Sequence, residues 1–295
     1  MTRIELLRDA ALRFEAAGIE DGMRNAELLL GEVLGTSRAG IYAYADEAVE
    51  AEKADAFSAF VGRRLAREPL QYIMGHAAFH HIDVAVSPGV LIPRPETEEL
   101  VEAGLAFLTG LSRPWVLDVG TGSGAIALAI KASLPEAEVF GVDVSEEALN
   151  IAVKNAERLG LEVAFAEADL LHPDFCDNTR GAFDLIVSNP PYVPASEADS
   201  LQPEVRDHEP GVALFVDDED PLRFYRALAG HASRLLKPGG RLMAETHSEY
   251  GVGVPELFSD LGLVHARIDP DLAGRPRIAS GTRPPNDRQA ELRLE

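Results

Sequence analysis

Positive charge is scarce in this sequence. Lysine and arginine number 27 against 49 aspartates and glutamates, leaving a formal net charge of −22 over 295 residues. A protein that grips duplex nucleic acid carries a basic face, because phosphate contacts supply most of the affinity. The balance argues against a direct nucleic-acid partner and leaves a protein substrate open. Cysteine is scarcer still. The lone Cys176 excludes a disulfide framework within the chain and a cysteine-rich zinc site. As a nucleophile it has the wrong neighbours, Asp174 and Asp177, since acidic groups raise a thiol pKa. No apolar run reaches bilayer length, and Met1-Thr2-Arg3-Ile4-Glu5 lacks the basic start and apolar block of a signal peptide. The expectation is a cytoplasmic protein with no membrane partner. Internal repeats and long low-complexity runs are absent as well.

What is present divides the chain into zones. Residues 1–73 read as a helical domain: Ile4, Leu7, Ala11 and Phe14 recur at helical spacing, as do Phe57, Phe60, Val61 and Leu65. Arg63, Arg64 and Arg67 form a basic cluster, read as a solvated helix face in preference to a docking surface. Residues 74–98 form a hairpin and linker. Ile82, Val84 and Val86 alternate, Ser87-Pro88-Gly89 turns, and two prolines stiffen the run around Arg94. Glu96, Glu98 and Glu99 then suit the first turn of a helix to about Leu108. His80 and His81 hint at a metal pair, but neighbours on a strand face opposite ways, so no metal site is expected.

Residues 99–282 alternate strand and helix. Strands are expected at Trp115–Asp118, Val139–Val142, Val163–Ala166 and Phe183–Ser188, with a further one from the Lys237-Pro238-Gly239-Gly240 turn through Glu245. Helices are expected at Ala125–Ala132, after the Ser145 cap to Leu159, and at Leu222–Leu235. This order means an α/β, doubly wound, mostly parallel sheet with helices on both faces. Residues 283–295 read as a polar, frayed tail.

Gly120-Thr121-Gly122-Ser123-Gly124 sits between a strand and a helix, where glycines let the backbone approach a ligand closely. Alone, the run also fits a dinucleotide turn. Asp118, two residues before it, would repel a pyrophosphate but suit the cationic head of S-adenosylmethionine; capping the glycine turn is its alternative role. Asp143 ends the second strand and can accept both ribose hydroxyls, a feature shared with dehydrogenases. Asp169 with Leu170 could hold an adenine amino group and ring face, though Asp169 is equally a turn or cap.

Ser188-Asn189-Pro190-Pro191-Tyr192 ends the fourth strand, where ligands bind in such sheets. The prolines fix the backbone and remove two N–H donors, leaving the Pro190 carbonyl free to accept. Asn189 adds a side-chain carbonyl and Tyr192 an aromatic face. Two acceptors can each take one N–H of a planar NH₂ group, pin its nitrogen and aim the lone pair at a methyl carbon. A sulfonium is already a good leaving group, so positioning supplies much of the rate.

The glycine turn and the acid at the second strand resemble class I S-adenosylmethionine-dependent methyltransferases. In these, a (D/N)PP(Y/F) tetrapeptide marks enzymes acting on adenine, cytosine or glutamine amides. Within them the chain resembles the release factor glutamine methyltransferases, the PrmC or HemK family, over about residues 70–282. The match rests on Gly75 with Phe79, on Pro88 to Glu98, on Asp118 to Ala125 and on Ser188 to Tyr192. Glu204-Val205-Arg206, Glu209-Pro210, Ala213-Leu214 and Asp271 to Arg277 extend it.

The resemblance implies a seven-stranded sheet, an N-terminal substrate-binding domain, and N5-methylation of the glutamine in the GGQ motif of peptide chain release factors. S-adenosyl-L-methionine would be the cofactor and the release factor the partner. By match, Asn189, Pro190 and Tyr192 are catalytic, and Asn189, Pro190, Pro191, Tyr192 and Arg94 hold the glutamine. Asp118, Gly120, Thr121, Gly122, Ser123, Gly124, Asp143, Asp169, Leu170 and Asn189 hold the cofactor. Phe79 packs at it, and Arg94, Glu96 and Thr97 close over the site. His80 departs from the family's usual aromatic. Rival readings are a ribosomal-protein glutamine methyltransferase, a DNA adenine-N6 methyltransferase, an NAD-dependent dehydrogenase and a non-enzymatic adenosine-binding module. The run Arg94-Pro95-Glu96-Thr97 favours the release factor branch; the acidic balance opposes DNA; neither a dehydrogenase nor a binding module needs Asn189 to Tyr192.

Overall fold

The computed structural model describes residues 1–247 and 249–285. Two compact units emerge: Met1–His76 with Gln202–His208, and Ala77–Leu201 with the chain from Glu209 on. The first unit is helical. Its elements are α1 (Arg3–Ala16), α2 (Gly22–Leu34), α3 (Arg38–Ala43), α4 (Ala51–Leu65) and α5 (Leu70–Met74). Thr2 and Glu5 form a reciprocal capping box that satisfies the first orphan donors of α1. Leu7, Phe14, Leu29, Leu30, Phe57 and Val61 make a buried core, as the helical spacing predicts.

The basic cluster at the end of α4 is only in part a solvated face. Arg64 is buried; its Nε donates to Asn25 Oδ1 at 2.8 Å and it pairs with Glu204 at 2.9 Å. Arg67 reaches the same Glu204 at 3.1 Å, and Arg63 chelates Glu68. Arg64 and Arg67 draw their counterion from a segment remote in sequence, whereas Arg63 stays exposed and pairs locally.

The second unit opens with a hairpin, β1 (His76–Phe79) and β2 (Ile82–Ala85), followed by α6 (Pro95–Leu108). His80 and His81 lie in the turn of that hairpin, so the strand-alternation argument against a metal pair does not apply. Their rings are 4.0 Å apart. With Glu102 they form a group whose ligand atoms lie within 4.8 Å of one another, and Glu102 already holds His80 Nε2 at 2.6 Å.

Then follow β3 (Trp115–Val119), α7 (Ala125–Ser133), β4 (Glu138–Asp143), α8 (Glu146–Leu159), β5 (Ala164–Glu167), β6 (Phe183–Ser188), β7 (Val193–Pro194), α9 (Pro203–Arg206, in the first unit), α10 (Gly211–Leu214), β8 (Phe215–Val216), α11 (Arg223–Leu235), β9 (Leu236–Glu245), α12 (Val254–Asp260), β10 (Val264–Pro270) and β11 (Pro276–Thr282). The main sheet has seven strands in the order β10-β11-β9-β6-β3-β4-β5, and β11 runs against its neighbours. The rest pair in parallel through β9, β6, β3, β4 and β5. The expected fold class holds, and the strand order reverses at β3, where β4 lies on one side and β6 on the other. That switch opens a crevice at the carboxyl ends of the strands.

Leu117, Ile186, Leu242 and Ala279 pack with Leu228, Ala232 and Phe258 of the helices into one core. Strand β9 begins earlier than the sequence predicts. Phe183 pairs with Leu236 and Leu185 with Arg241, so the proline–glycine run loops out as an irregularity within the strand. The expected tail also begins too early: Arg283 exchanges backbone hydrogen bonds with Gly239 and Gly240. Residues 286–295 of that tail lie outside the described residues. Among the described residues no helix is long and apolar enough to cross a membrane. Cys176 is half-buried, and burial, opposed by Arg234, pushes its thiol up.

Candidate active site

The cleft at the switch point encloses about 840 Å³ of empty space when its open mouth is counted. The glycine turn forms its floor. Gly120 and Gly122 have positive φ and a Cβ on either would point into open space, so bare backbone faces the cavity. Gly120 and Thr121 both donate to the Val142 carbonyl, which ties the turn to β4. Gly141 must lack a side chain for another reason: a Cβ there would lie 2.6 Å from Phe165 and 2.8 Å from Thr121 Oγ1.

Asp143 lines the cleft at the end of β4. Its Oδ2 accepts from Gly122 N–H at 2.8 Å and its Oδ1 from Ser145 N–H at 3.0 Å, which fixes the carboxylate and leaves lone pairs for a ligand. Asp169 and Leu170 also line the cleft, as do Val144, Val212 and Phe224. Asp118 is fully buried and does not line the cleft. Its Oδ2 accepts from Thr121 Oγ1 at 2.7 Å and from Ala127 N–H at 3.2 Å, while Oδ1 has no partner among the described residues. Burial pushes this carboxyl up to about 7; the two hydrogen bonds oppose the shift.

Asn189, Pro190 and Pro191 line the cleft beside the glycine turn, since Ser188 pairs with Val119 on the adjacent strand. Asn189 Nδ2 donates to Thr97 Oγ1 at 3.1 Å. Thr97 donates to Glu245 Oε2 at 2.6 Å, and Tyr192 donates its hydroxyl to Glu245 Oε1 at 3.2 Å. Glu245 ends β9 and is 1% exposed. Burial pushes its carboxyl up, against the Thr97 hydrogen bond and Arg277, whose Nη1 stands 3.7 Å away. Tyr225 donates to the Glu245 carbonyl at 3.0 Å, anchoring that strand end from α11.

The residues expected in the site thus fall into three groups. Gly120, Gly122, Asp143, Asp169, Leu170, Asn189, Pro190 and Pro191 line one cleft. Asp118, Thr121, Ser123 and Gly124 shape its floor from behind: Asp118 and Thr121 bond each other, and the Ser123 carbonyl accepts from Asn155. Thr97 and Tyr192 stand behind Asn189, both bonded to Glu245, and outside the cleft lining. Arg94 is fixed by Glu209 at 2.5 Å, and the same Glu209 accepts from Ile92 N–H at 3.0 Å. Glu96 is half-buried near Glu245, and Phe79 is buried in β1; neither lines the cleft.

Two residues were passed over in the sequence. Glu245 ends an apolar strand with an acid, as Asp118 and Asp143 do near the ends of theirs, and that pattern was the available signal. Asn155 had none. Fully buried on α8, it accepts from Ala85 N–H at 2.7 Å and donates to the carbonyls of Ala85 and Ser123. It ties the hairpin to the glycine turn.

Among the described residues the cleft is lined by two carboxylates and no lysine, arginine or histidine. A pyrophosphate would find no cation there, whereas a ligand with a cationic group and free hydroxyls would find acceptors.

Comparison with known proteins agrees with this chemistry. Residues 5–75 match the family model for the PrmC N-terminal domain, and residues 113–267 match a methyltransferase domain. The chain is 41% identical to the release factor glutamine methyltransferase of Bacteroides thetaiotaomicron, over 87% of this chain and 91% of that one. The enzyme of the same name from Koribacter versatilis is 41% identical over 94% and 97% of the two chains. That of Deinococcus radiodurans is 38% identical over 95% and 98%.

Proposed function

The chain belongs to the release factor glutamine methyltransferase family, and from that membership we propose that it methylates N5 of the glutamine in the GGQ motif of peptide chain release factors, with S-adenosyl-L-methionine as donor. The observation that carries the reading is Asn189: its amide nitrogen is held by Thr97 while the residue lines a cleft walled by two prolines.

The residues present fit that cofactor. Asp118 has a buried carboxylate oxygen without a partner, which suits a cationic head. Asp143 would take the ribose hydroxyls, and Asp169 with Leu170 the adenine. Gly120 and Gly122 leave room for a ligand against the backbone. When bound, the cofactor supplies a methyl group on a sulfonium leaving group.

The protein's own part is positioning. Asn189 Oδ1 and the Pro190 carbonyl accept the two N–H groups of the glutamine amide and hold its nitrogen toward the donor. No strong base is needed, because the methylated nitrogen is acidic and sheds its proton readily. With a translation factor as substrate, the enzyme works in the cytoplasm.

Mass spectrometry of a release factor incubated with this protein and S-adenosylmethionine tests the reading. One added methyl on the GGQ glutamine is the expected result. Methyl found only at another residue, or on a ribosomal protein instead, would overturn the substrate assignment.

A further inference from the structure

A carboxamide has an oxygen and a nitrogen of nearly equal size, so packing does not decide which faces a substrate; hydrogen bonding does. At Asn189 the deciding partner is Thr97 Oγ1, 3.1 Å from Nδ2. A hydroxyl has a single proton. Thr97 directs that proton at Glu245 Oε2, 2.6 Å away, a length typical of a hydroxyl donating to an ionised carboxylate. With its proton committed, Oγ1 can only accept from Asn189. The nitrogen of Asn189 must therefore face Thr97, and the oxygen is left for the cleft.

Glu245 is built to stay an acceptor. Its other oxygen takes the Tyr192 hydroxyl at 3.2 Å and faces Arg277 Nη1 at 3.7 Å, and the side chain has almost no access to water. Thr97, Tyr192 and Arg277 all turn protons toward the carboxylate, while the nearby Glu96 opposes its charge without bonding it.

We propose that Glu245 is a positioning residue that sets the polarity of the Asn189 amide through Thr97, so that an acceptor and not a donor meets the NH₂ group being methylated. The inference rests on the proposed glutamine methylation, because an NH₂ substrate is what requires an acceptor at that point. A neutral amide at position 245 could donate to Thr97 Oγ1. The Thr97 proton would then be free to bond Asn189 Oδ1, the Asn189 amide would turn over, and an NH₂ group would confront the substrate's NH₂ group.

The test combines Glu245→Gln, Thr97→Val and Thr97→Ser. Methyl transfer to a release factor is measured with S-adenosylmethionine affinity, and the side-chain NH₂ resonances of Asn189 are followed by NMR, assigned by their loss in Asn189→Ala. For Glu245→Gln and Thr97→Val, kcat is expected to fall on the order of 100-fold, the scale on which removing one positioned polar partner acts. Cofactor affinity and KM should stay within about threefold of wild type. The Asn189 resonances should shift in both variants. Thr97→Ser, which keeps the hydroxyl, should recover most of what Thr97→Val loses.

A kcat for Glu245→Gln within about threefold of wild type overturns the proposal. So do Asn189 resonances that ignore both substitutions, or a Thr97→Ser variant as impaired as Thr97→Val. If Glu245→Gln does not fold, the comparison of the two Thr97 variants still decides. A wild-type protein inactive on release factors, with Asn189 resonances that respond to Glu245→Gln, would refute the methylation reading and leave the polarity relay standing.

Discussion

Replacing Asp118 by asparagine should stabilise the ligand-free protein, and do so in a pH-dependent way. The carboxyl is fully buried, one oxygen has no partner, and its pKa stands at about 7 against an ordinary 3.8. A carboxyl whose folded pKa is raised contributes stability that is present below about pH 4 and is lost as pH rises through about 7. The shift is about three units at about 1.4 kcal/mol each, so wild type forfeits on the order of 4 kcal/mol by pH 8. Asparagine does not ionise. At low pH the neutral acid and the amide are alike: each offers an oxygen to Thr121 and Ala127 and carries a buried donor on the other side.

Urea unfolding of both proteins across pH 5 to 8 measures the difference, and titrations elsewhere in the chain cancel in it. The variant's advantage should grow by about 3 kcal/mol over that range. A flat difference, or a wild type more stable than the variant at pH 8, would refute the reasoning. The same carboxyl must lose its proton when a cation is brought to Oδ1. S-adenosylmethionine binding at pH 6.5 should therefore release roughly three quarters of a proton in wild type and none in Asp118→Asn. Calorimetry in buffers of different ionisation enthalpy reads this directly.

Other residues give simpler expectations. Asn189→Ala should lower methyl transfer on the order of 100- to 1,000-fold and leave cofactor affinity nearly unchanged, checked by a transfer assay with calorimetry. Asp143→Ala should weaken S-adenosylmethionine binding about 10- to 100-fold, since a charged acceptor is lost and the Gly122 and Ser145 donors are left unpaired; equal affinity would remove Asp143 from the ribose role. Asn155→Ala should cost about 3 kcal/mol in chemical denaturation, because it strands the backbone groups of Ala85 and the Ser123 carbonyl in the interior.

Local patterns carried much of the architecture. Phe183–Ser188 is a strand with the bounds read from its apolar run, and Ser145 caps α8 by accepting from Ala148 N–H. The cleft residues were legible for the same reason: Gly120, Gly122, Asp143 and Asn189 sit at strand ends, and strand ends converge in this sheet. What escaped was long-range pairing. Arg64 looked solvated because its counterion, Glu204, lies beyond most of the second unit's sequence. Thr97, expected from the resemblance to close over the site, bonds Glu245, a partner 148 residues away that nothing local reveals. For His80 and His81 the strand premise fails, since both lie in a turn.

Glu204 also bears on how the chain can be made. Arg67 and Glu204 are 137 residues apart, and the first helical unit is complete only when both have been synthesised. At about 5–20 residues per second the ribosome needs roughly 7 to 27 seconds to add that stretch. Until then Arg64 has no carboxylate to accompany it into the interior, and burying it alone would cost several kcal/mol. The amino-terminal helices are thus born first and finished late, and a fragment cut at residue 76 would carry a vacancy where Glu204 belongs.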